Sequence, residues 1–114
     1  MLASIVARLK TGRVTRGVPY GSSLPAPPYF VVKNEPTYGG MRYRVTYHFK
    51  RDQQDQLEDA LRAAMILLND FQVTSRHGCT NRLGRGEVTT GIIDGNSDDT
   101  ISMEAAFIMP THTF

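Results

Sequence analysis

The stretch MRYRVTYHF, residues 41–49, alternates strictly. Tyr43, Val45, Tyr47 and Phe49 fall on one side of an extended chain, and Arg42, Arg44, Thr46 and His48 on the other. Successive side chains of a β-strand point to opposite faces, so a period of two specifies a strand with one buried face. The aromatic side is core. The basic side has three open readings: water, a neighbouring subunit, or nucleic acid.

Upstream, YFVVKN (29–34) is rich in β-branched and aromatic residues and is predicted as a short strand. EPTYGG (35–40) follows, with Gly39 and Gly40 able to take positive φ at little cost. The two strands should form a hairpin closed by a wide loop rather than a two-residue turn. Downstream, RDQQDQLEDALRAAMILLNDF (51–71) places Leu57, Leu61, Ala64, Met65 and Leu68 on one helical stripe. Asp52 is the expected N-cap, Asp55 and Glu58 suit the positive end of the helix dipole, and Glu58–Arg62 is an i,i+4 pair. This helix should cover the aromatic face of the hairpin.

Further out, Leu2, Ile5, Val6 and Leu9 share a helix face, with Gly12 as a stop signal. So short a helix must dock on something to be stable. Residues 13–28 (RVTRGVPYGSSLPAPP) hold Pro25, Pro27 and Pro28, which forbid helix and central-strand pairing. They are predicted to form an irregular arm, and structureless segments longer than about 12–15 residues are usually functional or mobile. In the last third, FQVTS (71–75) is a candidate strand and 76–86 a basic glycine-rich loop carrying Arg76, Arg82 and Arg85. EVTTGIID (87–94) and TISMEAAFIM (100–109) are strand-like, joined by the turn DGNSDD (94–99). The predicted fold is α+β. An antiparallel, hairpin-built sheet of about four to five strands packs against one long amphipathic helix and a short N-terminal helix, in a single domain over 1–114.

The 114 residues suit one core, and 13 Lys+Arg against 11 Asp+Glu leave a net charge of only +2, too little to argue nucleic-acid binding from bulk charge. One cysteine rules out an intramolecular disulfide framework. No window approaches the ~18–20 apolar residues of a membrane span, and the charges of MLASIVARLK follow its apolar residues, unlike a signal peptide. A cytoplasmic chain is expected.

Chemical signatures are weak. His77 and Cys79 stand two apart, with His48 and His112 elsewhere, so neither zinc-ligand spacing nor a nucleophile–base–orienter set is legible. DGNSDDTISME offers oxygens at Asp94, Asn96 and Asp98, but Asp99 and Ala105 stand where a calcium loop needs glycine and glutamate, which favours a polar hairpin turn. GRG (84–86) is too short for a dinucleotide fingerprint. The Arg42/Arg44 face with the 76–86 loop could track a nucleic-acid backbone, yet the aromatics that would stack bases lie on the opposite face. Neither an enzyme nor a cofactor nor a metal is expected.

The order of short helix, loose arm, PYFVV strand (28–32), long alternating strand, amphipathic helix LEDALRAAMILL (57–68) and closing strands resembles the tail terminator (tail completion) proteins of long-tailed bacteriophages. The resemblance rests on size and element order, and the chain is somewhat shorter, near the size of neck stoppers and adaptors. It implies a non-enzymatic virion protein assembled in the host cytoplasm: a homo-oligomeric ring, typically a hexamer, that caps the tail tube and docks to the head-side connector or stopper. DNA would pass nearby without sequence-specific binding, and no membrane is involved. Ring contacts would then fall on Pro25, Pro27 and Pro28 of the arm, on Arg82, Arg85 and Arg76 of the loop, and on Arg42 and Arg44 pairing with a neighbour's acids such as Asp98 or Asp99. The alternative is a small nucleic-acid-associated or other binding module using the same arginines.

Overall fold

The structure is a computed structural model that describes residues 2–74, 78, 80–94 and 99–110. Among these residues, seven strands and two α-helices follow in the order α1 (Leu2–Leu9), β1 (Gly17–Pro19), β2 (Tyr29–Thr37), β3 (Gly40–Lys50), α2 (Gln54–Leu68), β4 (Gln72–Thr74), β5 (Thr80–Arg82), β6 (Glu87–Asp94) and β7 (Thr100–Pro110). Five strands make one sheet in the order β1-β2-β3-β7-β6, and β4 pairs with β5 in a small second sheet. The α+β prediction therefore holds, with helices on one face of a largely antiparallel sheet.

The alternating stretch lies at the centre of β3. Tyr43, Val45, Tyr47 and Phe49 are buried, together with Ile101, Ala105, Phe107 and Met109 of β7 and Phe30 and Val32 of β2. Onto this layer α2 lowers Leu57, Ala60, Leu61, Ala64 and Leu68, four of the five residues predicted for its stripe plus Ala60; Met65 is half-buried at its margin. Full burial of each large apolar side chain is worth about 1.5–3 kcal/mol relative to exposure, so this interface dominates the stability. Helix α1 adds Ile5 and Leu9, and Arg8 ties it to the end of α2 by donating from Nε to the Leu67 carbonyl at 3.2 Å.

Four details differ from expectation. The β2–β3 loop is short: Thr37 pairs with Gly40, leaving only Tyr38 and Gly39 between the strands, and Gly39 takes φ +79°. β2 can run through Pro36 because β1 covers only Phe30–Val32, so the missing N–H meets no strand on that edge. The sheet is mixed, since the chain loops through 20–28 and returns so that Gly17–Pro19 lies parallel to β2 at the sheet's edge. The arm prediction omitted this short edge pairing. Asp52 is not the N-cap of α2. A 3-10 turn over Arg51–Gln53 precedes the helix and makes Gln53 the cap residue, while Arg62 pairs with Asp59 rather than with Glu58. Finally, the segment predicted as a basic loop contains β5 and is anchored by the fully buried Leu83, whose N–H donates to the Phe71 carbonyl at 3.0 Å. Most of the turn DGNSDD lies outside the described residues.

Candidate functional site

The register of three strands assembles the polar face. β2 sets Lys33 opposite Arg44 and Glu35 opposite Arg42, and β7 sets Glu104 opposite Thr46 and Ser102 opposite His48. Directly opposed side chains on one face lie within reach of each other, so the charges meet. Glu35 Oε1 stands 3.1 Å from Arg44 Nε and 3.5 Å from Arg42 Nη1. Glu104 Oε2 lies 4.0 Å from Arg44 Nε and accepts a 2.6 Å hydrogen bond from the Thr89 hydroxyl of β6, while its Oε1 accepts from Thr46 at 3.3 Å. Arg44 Nε is buried and, despite its closeness to Glu35, is aligned for no hydrogen bond. Its contact is an ion pair without a directed component.

The basic stripe is therefore not bare. Arg42 and Arg44 find counter-charges in this chain's own Glu35 and Glu104, where Asp98 or Asp99 of a neighbour was expected to supply them. The arginine side chains keep about a third of their surface exposed, at 35% and 34%. Next to them His48 stacks on Tyr29, with ring centroids 4.7 Å apart and 16° between planes. Burial holds the His48 imidazole below its ordinary pKa and raises the Tyr29 hydroxyl. The arm closes this end of the face. Residues 19–24 overhang Val31, Lys33, Arg44 and His48, enclosing a cleft of about 550 Å³, and Lys33 Nζ sits 5.0 Å from the Tyr20 ring centroid. Tyr20 and Leu24 nevertheless remain largely exposed.

The other predicted residues scatter. Pro25 and Pro27 are half-buried and Pro28 exposed. Arg82 and Arg85 are exposed; Arg85 reaches a shallow cleft beside Arg62 and the exposed Ile66 of α2. Asp99 is exposed at the start of β7, and its carbonyl accepts from the Arg51 N–H at 2.8 Å. Arg76, Asp98, His77, Cys79 and His112 lie outside the described residues. Among the described residues no group of three His, Cys, Asp or Glu could hold a metal ion, and no helix is long and apolar enough to cross a membrane.

Sequence reasoning missed Glu35, Glu104 and Tyr29. With the turn placed at Tyr38–Gly39, residues 35 and 42 face each other and the first pair becomes legible. Exposed strand edges were expected as interface material, but no such signal showed which strands form the two edges of the main sheet. At one end β1 leaves Lys33–Thr37 of β2 uncovered; at the other β6 exposes Val88 and Ile93, and its pairing to β7 is interrupted by two register shifts. Searches among protein-family models, curated proteins and solved structures find no match to this chain.

Proposed function

We propose that the chain is a non-enzymatic subunit of a homo-oligomeric ring, of the kind that tail terminator proteins form at the head–tail junction of long-tailed bacteriophages. One observation carries the reading: the sheet ends in two different, incompletely covered edges on opposite sides of a small domain. Unlike edges that fit each other make heterologous contacts, and such contacts close into rings when the rotation permits. The element order that resembles this family supports the more specific part. In that role the ring caps the tail tube, with the connector or stopper above it and DNA passing through.

The nucleic-acid reading draws less support, since Glu35 and Glu104 neutralise the arginines it needs. The test is native mass by analytical ultracentrifugation, alone and with tail tube protein, followed by a tube-length assay. A ring that shortens growing tubes is the expected result. A monomer at all concentrations, with no effect on tube length, would sink the reading.

A further inference from the structure

A groove of about 770 Å³ runs between α1 and the β1–β2 corner on the helix side of the sheet. Leu2, Val6, Val18 and Val32 contribute apolar wall, and Lys10 and Lys33 stand among its lining residues. It opens where β1 ends, beside the uncovered stretch Lys33–Thr37. Edges and apolar grooves of this kind are ready-made docking sites.

Three features of the far edge match it. First, charge: Lys10 lines the groove and Lys33 borders the same edge on the polar side, opposite Arg44. By contrast, β6 begins at Glu87 and ends at Asp94, both exposed, with Glu87 on that polar side too. Asp94 is shared with Arg51 at 2.9 Å, which leaves Glu87 as the principal acid. Second, side: Val88 pairs with the buried Ala105 and so stands on the helix side of the sheet, the side on which the groove lies, with 49% of its surface exposed. Copies joined edge to edge in one continuous sheet keep that side in common. Third, direction: β2, β3, β7 and β6 are successively antiparallel, so β6 runs opposite to β2. A β6 edge arriving head-to-tail would meet β2 in the antiparallel sense, the more frequent pairing.

We propose that the groove receives the β6 edge of a second copy, with Val88 entering beside Val6 and Val32 and Glu87 meeting Lys33. The proposal rests on the ring reading and specifies its contact. Pro36 limits backbone pairing along this edge, so side chains carry the recognition.

The experiment is a charge exchange read by native mass over a concentration series, with circular dichroism checking the fold. Glu87→Lys and Lys33→Glu each replace attraction by repulsion and should raise the concentration for half-assembly roughly tenfold. The double variant should restore it to near the unmodified value, which a merely structural role for either residue would not produce. If the unmodified protein assembles and both single variants assemble equally well, the contact is elsewhere and this proposal falls while the ring stands. A monomer throughout, alone and with tail tube protein, and without effect on tube length, overturns both. An anionic acyl-chain probe saturating the groove without any change in mass or assembly would assign it to a small amphiphile and likewise overturn the proposal.

Discussion

Replacing both carboxylates of the polar face by their amides, Glu35→Gln with Glu104→Gln, isolates the charge in that cluster. The shapes persist, and the amide oxygen at position 104 can still accept from Thr46 or Thr89, so what disappears is the field that holds Arg42 and Arg44. Two unit charges 4 Å apart attract by about 4 kcal/mol at an effective dielectric of 20, before desolvation and side-chain entropy are subtracted. Fully exposed pairs retain only about 0.2–1 kcal/mol of this. Here three contacts at 3.1, 3.5 and 4.0 Å share Glu35 and Arg44 and join side chains that are 20–35% exposed, so the cluster as a whole is worth about one to two pairs at the upper end of that range. The expected loss is about 1–2 kcal/mol, equivalent to a fall in Tm of roughly 4–16 °C for a domain of this size. Two lost negative charges should also increase retention on a polyanion column. Urea denaturation at low and high salt measures the first effect. An unchanged midpoint with unchanged polyanion retention would refute the idea that these carboxylates neutralise the face.

Other expectations are simpler. Gly86 lies against the ring of Phe107, which is fully buried, and a Cβ there would overlap it. Gly86→Ala should therefore cost about 1–3 kcal/mol by overpacking, against almost nothing for Gly91→Ala, where space is open. Chemical denaturation of the two variants side by side decides this. His48 has a folded pKa below its ordinary 6.5, so the unfolded chain binds the proton more readily and stability falls as pH drops through that value. His48→Phe, which keeps the stack on Tyr29, should flatten the slope of urea midpoint against pH in this window. Leu61→Ala, in the buried stripe of α2, should cost about 2–5 kcal/mol and lower the denaturation midpoint accordingly.

The buried half of this fold was legible because its signals are periodic. The two-residue alternation of 41–49 and the helical stripe of 57–68 each state which face is covered, and the two stripes meet as predicted. What escaped had no period to announce it. β1 and β5 have three residues each, too few for a pattern, and their pairing depends on distant chain returning alongside. The turn at Tyr38–Gly39 was masked by Pro36, which reads as a break until the open edge beside it is known. That error of turn placement hid the Glu35–Arg42 opposition and made the basic face look uncompensated. Glu104 was within reach of the same reasoning, since the alternation in TISMEAAFIM puts Ser102, Glu104 and Ala106 on one side. Without a register between β3 and β7, nothing aligned it with Thr46.

Compensation within the chain changes where assembly energy should come from. A paired Arg44 must give up Glu35 and Glu104 before it serves a neighbour, so the net gain from a new ion pair is small, and exposed pairs contribute little to begin with. Apolar contact is worth about 25 cal/mol per Å² removed from water, and exposed apolar residues flank the charged face: Ile93 on β6 and Tyr20 and Leu24 on the arm, with Val88 of β6 on the helix side. A stable contact usually covers about 800 Å² on each partner, more than the short stretch Lys33–Thr37 with a groove beside it can supply. On the ring reading the arm must therefore add to the β6 edge. Tyr20 is held over the sheet by Lys33, a lining residue of both the groove and the cleft beneath the arm, so arm and groove form one continuous surface at the same end of the sheet. The arginines of 41–49 then act within the subunit, fixing β2, β3 and β7 in register, and leave recognition to the edges.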